Sequence, residues 1–332
     1  MKAICVTPDR RLDVREAPSP GAPPPGHVIV KMEASAINHG DKTFLARPGA
    51  AGPALVGSRH DIWGASGAGR VTAIGAGVPA DFEGRPVAIY RSLSRSPETI
   101  GLWSQFAQVL YTSCVILPDA VSARDYCGSL VNVFTAHAFL ETIIAEGHKG
   151  VIITAGNSAT GSALAALAQR RNIAVISLVR SAAARDELHG HGVKNVIVVT
   201  EDNFEGAVGA LASRLGTTAV FDGVGGELIS RLAPVLPMNA TVHVYGFLSG
   251  AVPISLPSVV LMTKNLTLKR FSNFESATAK DPQKLPVALT ELRSLISDPI
   301  FRTRIGREFT FDQIGEAMAY EDQPGAKAVL VA

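Results

Sequence analysis

Three small residues, Gly156, Ser158 and Gly161, stand at the three positions of the G-x-G-x-x-G pattern, with serine in place of the second glycine. In dinucleotide-binding folds the first position permits a tight turn, and the second lets the backbone approach a pyrophosphate. The third lets a helix pack closely on a strand. A serine at the second position is small enough for that approach, and its hydroxyl can donate to a phosphate oxygen. Any α/β crossover with a glycine-rich turn has similar spacing, so that interpretation also stays open on the turn alone.

The segments around this turn have the pattern that such a site needs. Residues 151–154 are apolar and mostly β-branched, as in a buried parallel strand. The turn leads into residues 161–170, which carry alanine and leucine at helical spacing, and a second apolar run follows at 173–179. Strand, turn, helix and strand within roughly 30 residues predict a βαβ unit. The N-terminus of its helix would offer N–H groups and a partial positive charge to a phosphate.

The end of the second strand indicates which dinucleotide would bind. An NAD-binding fold usually places Asp or Glu roughly 20 residues after the glycines, where it binds the ribose 2′-hydroxyl. Here Arg180 and then Ser181 occupy that place. A guanidinium can bind a 2′-phosphate with two hydrogen bonds, whereas a carboxylate would repel it. We therefore expect NADP(H), with a solvated arginine after a strand as the alternative.

The composition excludes several classes of protein. A chain of 332 residues with 47% hydrophobic and 18% charged residues predicts about two folded domains rather than a disordered chain. A net charge of +2 gives no reason to expect nucleic acid or an anionic membrane as a partner. The three cysteines are scattered and form no disulfide framework. The first residues lack the long apolar segment of a signal peptide. Glycine and proline interrupt the apolar runs before they reach the length of a membrane helix, about 18 residues. We expect a cytoplasmic protein in a reducing compartment.

The order of the predicted elements divides the chain into two domains. Residues 1–120 contain many short strands with frequent turns, which favours a compact, barrel-like β domain. Strands alternate with helices over 121–270, which predicts a doubly wound parallel sheet. Residues 271–332 return to α and β segments and would complete the first domain. Ligands bind at the carboxyl ends of parallel strands, so the tips near Arg180, 223–225 and 245–247 should face a cofactor.

With these segments placed, the whole chain resembles the medium-chain dehydrogenase/reductase superfamily. The matching segments are MKAI, PGHVIVKMEASAINHGD, GASGAGRVTAIGAGV, the glycine-rich turn, VFDGVGG, VHVYG and GAKAVLV. The resemblance implies a GroES-like β-barrel catalytic domain and a Rossmann domain. It is strongest to the zinc-free, NADPH-dependent quinone oxidoreductases and 2-enoyl thioester reductases, and AGNSATG followed by SLVRS is similar to the thioester reductases in particular.

The resemblance also implies that no metal is bound. Zinc-dependent members hold the catalytic ion through cysteine, histidine and glutamate side chains. The matching positions here are Asn38, Ala65 with Ser66, and Val131, which are poor zinc ligands. The structural zinc lobe of the family needs four closely spaced cysteines, and this chain has three, all dispersed.

Without a metal, hydrogen-bond donors must stabilise the negative charge that hydride transfer creates. The resemblance places Asn38 where a metal ligand would be, so its amide could donate to a substrate oxygen; a loop-capping asparagine is the alternative. Asp41 would orient Asn38 or a backbone turn. Tyr90 and Trp103 are candidates for the substrate pocket, with core packing as the alternative. Related reductases carry a tyrosine near residue 43 that assists protonation, and residues 43–49 contain none.

The resemblance assigns the cofactor to residues on several segments. The pyrophosphate is expected at the turn, the 2′-phosphate at Arg180 and Ser181, the adenosine half near Val224, and the nicotinamide near Thr135 and residues 245–247. Lys327 could approach a phosphate, with an exposed lysine as the alternative. The complete set is Thr135, Gly156, Asn157, Ser158, Ala159, Thr160, Gly161, Arg180, Ser181, Val224, Tyr245, Gly246, Phe247 and Lys327.

Three functions are consistent with these residues. The first is an NADPH-dependent reductase of small-molecule quinones or α,β-unsaturated carbonyls. The second is a 2-enoyl thioester reductase, for which Arg47, Arg91 and Arg95 are candidates to bind the carrier phosphates. The third is an NADPH-binding protein with little turnover. Residues 253–270 are apolar and β-rich, and the resemblance implies that this region pairs two subunits through their Rossmann domains, so a homodimer is expected.

Overall fold

The computed structural model describes residues 1–46, 58–321 and 325–331, and it divides the chain into two compact units. Unit 1 comprises Met1–Phe134 with Ala279–Ala332, and unit 2 comprises Thr135–Thr278. Both boundaries fall later in the chain than the expected residues 120 and 270. The segment before residue 134 is held in unit 1 by side chains: the Tyr126 hydroxyl donates to the Ser297 carbonyl at 2.6 Å, and the Gly128 N–H donates to the Thr303 hydroxyl at 2.7 Å.

Short strands make up most of the first part of unit 1. They are β1 (Lys2–Val6), β2 (Leu12–Glu16), β3 (His27–Ala36), β4 (Ser66–Ile74), β5 (Pro86–Tyr90), β6 (Phe106–Leu110) and β7 (Cys114–Ile116). Helix α1 (His39–Ala46) follows β3 directly.

Strands and helices then alternate through unit 2, and the first and last of these helices extend a few residues into unit 1. In chain order they are α2 (Ser129–Ala145), β8 (Gly150–Ile153), α3 (Ala159–Arg170), β9 (Ala174–Val179), α4 (Ala182–Gly190), β10 (Val196–Val198), α5 (Phe204–Leu215), β11 (Ala219–Asp222), α6 (Gly226–Leu232), β12 (Thr241–Val244), α7 (Ser258–Lys264), β13 (Thr267–Arg270) and α8 (Ala277–Lys280). The chain returns to unit 1 with α9 (Lys284–Leu295), β14 (Ile305–Phe309), α10 (Ile314–Ala319) and β15 (Lys327–Val331).

Unit 2 is built on a six-stranded sheet in the order β10-β9-β8-β11-β12-β13, and each neighbouring pair is parallel. Its strands are apolar because helices cover both faces, and residues such as Ile152, Val220 and Val242 lie in one buried cluster. The chain leaves β8 toward β9 on one side and reaches β11 on the other. This reversal is the switch point at which such sheets bind ligands, and it confirms the predicted Rossmann architecture.

Unit 1 contains a mixed, seven-stranded sheet in the order β14-β15-β3-β4-β5-β7, with β6 also paired to β3. Strand β15 pairs antiparallel with β3 and parallel with β14. The last residues of the chain therefore complete the first sheet, as expected for the GroES-like domain. The pairing of β15 with β3 brings Lys327 to the end of β3, where Asn38 follows.

Three segments differ from the sequence-based expectation. Helix α1 occupies a polar stretch after β3 for which the sequence pattern predicts no helix, and the carbonyl of Asn38 accepts N–H groups from Asp41 and Lys42 at its start. Strand β2 was not predicted. Residues 253–270 contain helix α7 and a sixth sheet strand, β13, whose residues align with all four of β12. Residues 46–61 are rich in glycine, alanine and proline, which favours a long loop, and most of them lie outside the described residues.

Within the described part of the chain, one helical stretch, Ala123–Ala145, is long and apolar enough to cross a membrane, with a mean hydropathy of 1.3. The expectation that no apolar run reaches this length was wrong. A 3₁₀ turn at Ala123–Tyr126 is followed closely by α2, and the two together reach the length. In the structure, 72% of its most apolar window is buried inside the protein. A core helix of a globular protein has the same properties, so the stretch is weak evidence for a membrane segment.

Candidate functional site

The glycine-rich turn joins the carboxyl end of β8 to the first turn of α3. Ser158 is the N-cap of α3: its hydroxyl oxygen accepts the Gly161 N–H at 3.0 Å, and the hydroxyl donates to the Ala155 carbonyl at 2.8 Å. The hydroxyl was expected to donate to a phosphate, but here it shapes the turn itself. A phosphate at this turn would therefore be met mainly by backbone N–H groups of α3.

Both glycines of the turn are required by close packing. A Cβ atom at position 161 would lie 2.2 Å from the Ala155 carbonyl oxygen, and one at position 156 would lie 2.9 Å from Cβ of Ser177. The Gly156 N–H also donates to the Leu178 carbonyl at 2.9 Å, which joins the turn to β9. The absence of side chains at these two positions lets the turn pack closely against β9 and against the start of α3.

Arg180 stands exposed at the carboxyl end of β9, directly before helix α4. Ser181 is the N-cap of α4 and accepts the Ala184 N–H at 3.3 Å. A second arginine nearby, Arg185, is already paired with Glu201 at 2.9 Å. Arg180 forms no ion pair with any residue that the structure describes. Its guanidinium is therefore the one of the two that is available to an added anion.

Asp222, at the end of β11, is a site residue that the sequence analysis did not single out. Its carboxylate accepts the Thr154 hydroxyl at 2.7 Å, the Val224 N–H at 3.1 Å, and the Gly225 N–H through both oxygens. The residue is fully buried, and burial raises the pKa of its carboxyl group, while these hydrogen bonds act in the opposite direction. Asp222 thus fixes the loop that carries Val224 at the tip of β11. The available signal was an aspartate directly before the glycines of DGVGG.

Tyr245 follows β12 and lies beside the loop that Asp222 fixes. Its ring stacks on Phe221 at 3.9 Å between centroids, and its N–H donates to the Asp222 carbonyl at 2.9 Å. A Cβ atom at Gly223 would meet the Tyr245 hydroxyl oxygen at 2.6 Å, so the glycine makes room for the ring. Burial raises the pKa of Tyr245, and the Ser158 hydroxyl lies within reach of its phenol group. Gly246 packs against Gly223, and Phe247 is partly exposed.

Unit 2 therefore carries most of the expected cofactor residues along one sheet edge. The tips of β8, β9, β11 and β12 hold Gly156–Gly161, Arg180, Val224 and Tyr245 respectively. Thr135 is placed elsewhere in this unit, on α2, where its buried hydroxyl accepts the Asn273 amide N–H at 2.5 Å. Its expected position near the nicotinamide stays a prediction.

In unit 1 the side chain of Asn38 is the centre of a compact polar cluster. Its amide nitrogen donates to the Ser66 hydroxyl at 2.8 Å and to the Asp41 carboxylate at 3.1 Å. Its carbonyl oxygen accepts the Lys327 ammonium at 3.0 Å. Both amide hydrogens are engaged, so donation from Asn38 to a substrate would require one of these bonds to break. Lys327 is half-buried and bound to Asn38, whereas an exposed lysine was the alternative expectation.

Two buried charges accompany this cluster. Asp41 is 1% exposed, and its Oδ2 accepts the Asn38 backbone N–H at 2.8 Å. Its Oδ1 has no hydrogen-bond partner among the residues that the structure describes. Burial raises the pKa of Asp41, against the hydrogen bonds from Asn38 and the charges of Arg91 and Lys327. Arg91 is 4% exposed, and burial lowers its pKa to about 10.

The positions that match zinc ligands in the family are now placed. Asn38 and Ser66 contact each other directly, next to the Lys327 ammonium. An amide, a hydroxyl and an ammonium do not suit a zinc ion, which prefers thiolate, imidazole and carboxylate donors. The described residues also contain no group of three or more His, Cys, Asp or Glu side chains that could hold a metal. Zinc independence stays a prediction that this donor set favours.

The two candidate substrate-pocket aromatics are buried. Trp103 has no exposed surface and lies in an apolar cluster with Trp63, while Tyr90 is 5% exposed at the end of β5. Trp103 therefore packs in the core of unit 1, which was the alternative interpretation. It does not present a surface to a ligand in this structure, because Gly64 and its neighbours close over the indole.

Comparison with solved structures identifies the fold. A protein from Mesorhizobium loti described as a candidate NADPH:quinone reductase superimposes with a TM-score of 0.79 at 23% identity, over 100% of this chain and 98% of the other. A mycobacterial protein whose structure contains NADPH superimposes with a TM-score of 0.75 at 23% identity, over the full length of both. The chain therefore shares the two-domain fold of these solved proteins, and the predicted fold-level resemblance to quinone and enoyl reductases is confirmed.

Sequence comparison finds relatives at a similar level of identity. The mitochondrial enoyl-[acyl-carrier-protein] reductase of Arabidopsis thaliana is 26% identical over 250 residues, which are 74% of this chain and 64% of that protein. The chain spans between 53% and 64% of the curated relatives that it matches. No protein-family model matches the chain.

Proposed function

We propose that this protein is an NADPH-dependent, zinc-independent oxidoreductase that transfers hydride to a quinone or an α,β-unsaturated carbonyl compound. The observation that carries the proposal is the edge of the unit 2 sheet. There the Gly156–Gly161 turn follows β8, and both of its glycines are fixed by packing. At the tip of the neighbouring strand, β9, stands an exposed arginine, Arg180, that has no ion pair among the described residues.

NADP(H) fits the residues at this edge. The turn offers the N-terminus of α3 to a pyrophosphate, and a residue larger than glycine at position 161 would collide with the Ala155 carbonyl. Arg180 stands where a 2′-phosphate is expected, and Arg185 is held by Glu201. The solved neighbour with bound NADPH supports the same assignment. When bound, NADPH would supply the hydride, and the chain would position it and exclude water.

A second candidate is a 2-enoyl thioester reductase, and the similarity to the Arabidopsis thaliana enzyme favours it. Such a substrate carries phosphates that a basic tract would bind. Arg91 cannot belong to an exposed tract because it is 4% exposed and donates to the Ile62 carbonyl. Arg95 is exposed, and Arg47 lies outside the described residues. Because Arg91 is buried, fewer of the candidate arginines could form a basic tract that binds the carrier phosphates. We therefore prefer smaller acceptors that carry no phosphate.

NADPH oxidation against a panel of acceptors tests the proposal. The panel would contain para-benzoquinone, an ortho-quinone, a short alkenal, crotonyl-CoA and a simple ketone, with NADH and a chelator-treated sample alongside. We expect turnover of a quinone or the alkenal, specific for NADPH and unaffected by the chelator. Faster turnover of crotonyl-CoA would favour the thioester reductase. Tight NADPH binding without turnover of any acceptor would favour a binding protein and contradict the proposal.

We also propose a homodimer and a cytoplasmic location. The edge strand β13 and helix α7 expose apolar side chains, among them Met262, which is 79% exposed. Such a face beside a sheet edge suits pairing with a second copy. Cys5, Cys114 and Cys127 are all buried free thiols, as is usual in a reducing compartment.

A further inference from the structure

Asp222 places a buried carboxyl group at the switch point of the unit 2 sheet. The residue ends β11 and has no exposed surface, and the Thr154 hydroxyl at the end of β8 donates to its Oδ1 at 2.7 Å. These two neighbouring strands flank the point where the chain reverses its direction across the sheet, and open α/β sheets bind their ligands there. The carboxyl group therefore belongs to the sheet edge at which the cofactor is expected.

Each hydrogen bond that the structure gives this carboxyl group comes from a donor. Oδ1 accepts the Thr154 hydroxyl and the N–H groups of Val224 and Gly225, and Oδ2 also accepts the Gly225 N–H at 3.0 Å. A protonated carboxyl group would need an acceptor for its own hydrogen, whereas an ionised one uses its oxygens only as acceptors. Burial raises the pKa of Asp222, but these hydrogen bonds act against that rise and favour the ionised form. The donor set thus holds Asp222 as a carboxylate.

No cation cancels this negative charge among the residues that the structure describes. Asp222 forms no ion pair there, and its partners are a hydroxyl and two backbone N–H groups, all of them neutral. The field of such a charge is stronger inside a protein than in water, because the interior has a lower dielectric constant. This field reaches the next strand tip, since burial and the charge of Asp222 both raise the pKa of the Tyr245 phenol. Residues 245–247 are the segment at which the nicotinamide is expected.

We propose that the negative charge of Asp222 makes bound NADPH a stronger hydride donor, because it stabilises the oxidised form of the cofactor. This inference rests on the proposed function. The acceptor takes a hydride, which is two electrons and one proton, and is reduced; the nicotinamide ring is left oxidised and changes from neutral to positively charged. A fixed negative charge at this sheet edge lowers the free energy of the positive ring and leaves that of the neutral ring almost unchanged. The binding site itself thus favours transfer toward the acceptor.

The test compares the Kd values of NADP⁺ and NADPH for the native chain and for Asp222→Asn, with the melting temperature as the check on folding. The two cofactor forms carry the same phosphates, so the ratio of their Kd values isolates the charge of the ring. The amide of Asp222→Asn keeps an oxygen for Thr154 and Val224 and removes the charge and the Oδ2 contact. We expect the ratio of the NADP⁺ Kd to the NADPH Kd to rise by at least about threefold. Asp222→Ser also removes the charge, so it gives the same comparison if Asp222→Asn does not fold.

Two control variants separate the charge of Asp222 from the shape of its loop. Thr154→Val removes a hydrogen bond to Asp222 but leaves the charge, so both Kd values should change by the same factor. Glu227→Gln removes an exposed carboxylate in the first turn of α6, where solvent screens the charge, and the ratio should keep its native value. An unchanged ratio in a folded Asp222 variant would overturn the inference, as would an equal shift of the ratio in Thr154→Val.

These binding measurements need no turnover, so they separate the inference from the proposed function. A native chain that binds both cofactor forms and shows the expected shift, but reduces no acceptor of the panel, would contradict the proposed function alone. Turnover of a quinone or the alkenal together with an unchanged ratio in Asp222→Asn would overturn the inference alone. A native chain that binds neither NADP⁺ nor NADPH would contradict both.

Discussion

The carbonyl oxygen of Ala155 packs so closely against Gly161 that a Cβ atom at position 161 would lie only 2.2 Å away. This contact holds the turn after β8 against the first turn of α3. The contact explains why the third small residue of the pattern has to be glycine here. Ser158 locks the same turn through bonds to Ala155 and Gly161. The geometry that the turn offers to a pyrophosphate therefore depends on this close backbone contact, which a side chain at position 161 would prevent.

Gly161→Ala should disrupt this approach. The added methyl group would press against backbone rather than against a flexible side chain, at a cost of about 1–3 kcal/mol in the free energy of unfolding. We expect a lower melting temperature and at least about tenfold weaker NADPH binding in a fluorescence titration. The matched control is Gly190→Ala at the end of α4, where a Cβ atom would have no neighbour within 4 Å. Equal behaviour of the two variants would contradict the role of the turn.

Arg180→Ala should weaken NADPH binding specifically. Loss of a charge-assisted contact of about 1.5–3 kcal/mol corresponds to at least about a tenfold rise in Kd. The Kd for NADH should not change, because NADH lacks the 2′-phosphate. Arg185→Ala serves as the control, since that guanidinium is paired with Glu201 at 2.9 Å. A larger effect of Arg185→Ala than of Arg180→Ala would place the 2′-phosphate at the second arginine.

Local sequence patterns were sufficient for most of the secondary structure. The strand, helix and strand expected at 151–154, 161–170 and 173–179 are present as β8, α3 and β9, with ends that differ by at most two residues. They could be predicted because apolar runs and helical periodicity are local properties. Helix α1 was missed because its polar, glycine-containing start is typical of a loop. It forms because Asp41 accepts the backbone N–H of Asn38, which closes its first turn.

The side-chain pairings of the site could not be predicted in the same way. Lys327 and Asn38 are 289 residues apart, and they meet only because β15 pairs with β3. Asp222 and Thr154 are 68 residues apart and meet because β8 and β11 are neighbours in the sheet. The sequence indicated which residues were polar and near strand ends. Which of them satisfy one another depends on strand order and register.

The His243 cluster in unit 2 should make stability depend on pH. His243 is 1% exposed and donates to Glu146 at 2.9 Å, while Lys269 donates to the other Glu146 oxygen at 2.7 Å. Burial lowers the pKa values of His243 and His148 in the folded protein. The unfolded chain therefore binds more protons below about pH 6.5. Stability should be complete above that pH and be lost as the pH falls through it.

Urea unfolding at a series of pH values between about 7 and about 5 would measure this loss, which approaches about 1.4 kcal/mol per pH unit for each proton. His243→Gln should be less stable at neutral pH but lose less stability on acidification. His191→Gln, which changes an exposed side chain at the end of α4, is the control. A native slope that His243→Gln leaves unchanged would show that other groups control the acid response.

The face formed by α7 and β13 should determine the oligomeric state. Val259 and Met262 on α7 are 63% and 79% exposed, and Leu268 on β13 is 42% exposed beside a sheet edge paired only with β12 among the described residues. We expect light scattering at micromolar concentration to give the mass of a dimer, because pairing would bury this apolar face and satisfy the edge. Met262→Glu and Leu268→Lys should shift the mass toward the monomer. Val287→Glu, at a 68% exposed apolar residue on α9 of unit 1, should leave it unchanged. A native monomer, or a dimer that only Val287→Glu disrupts, would rule out pairing through β13.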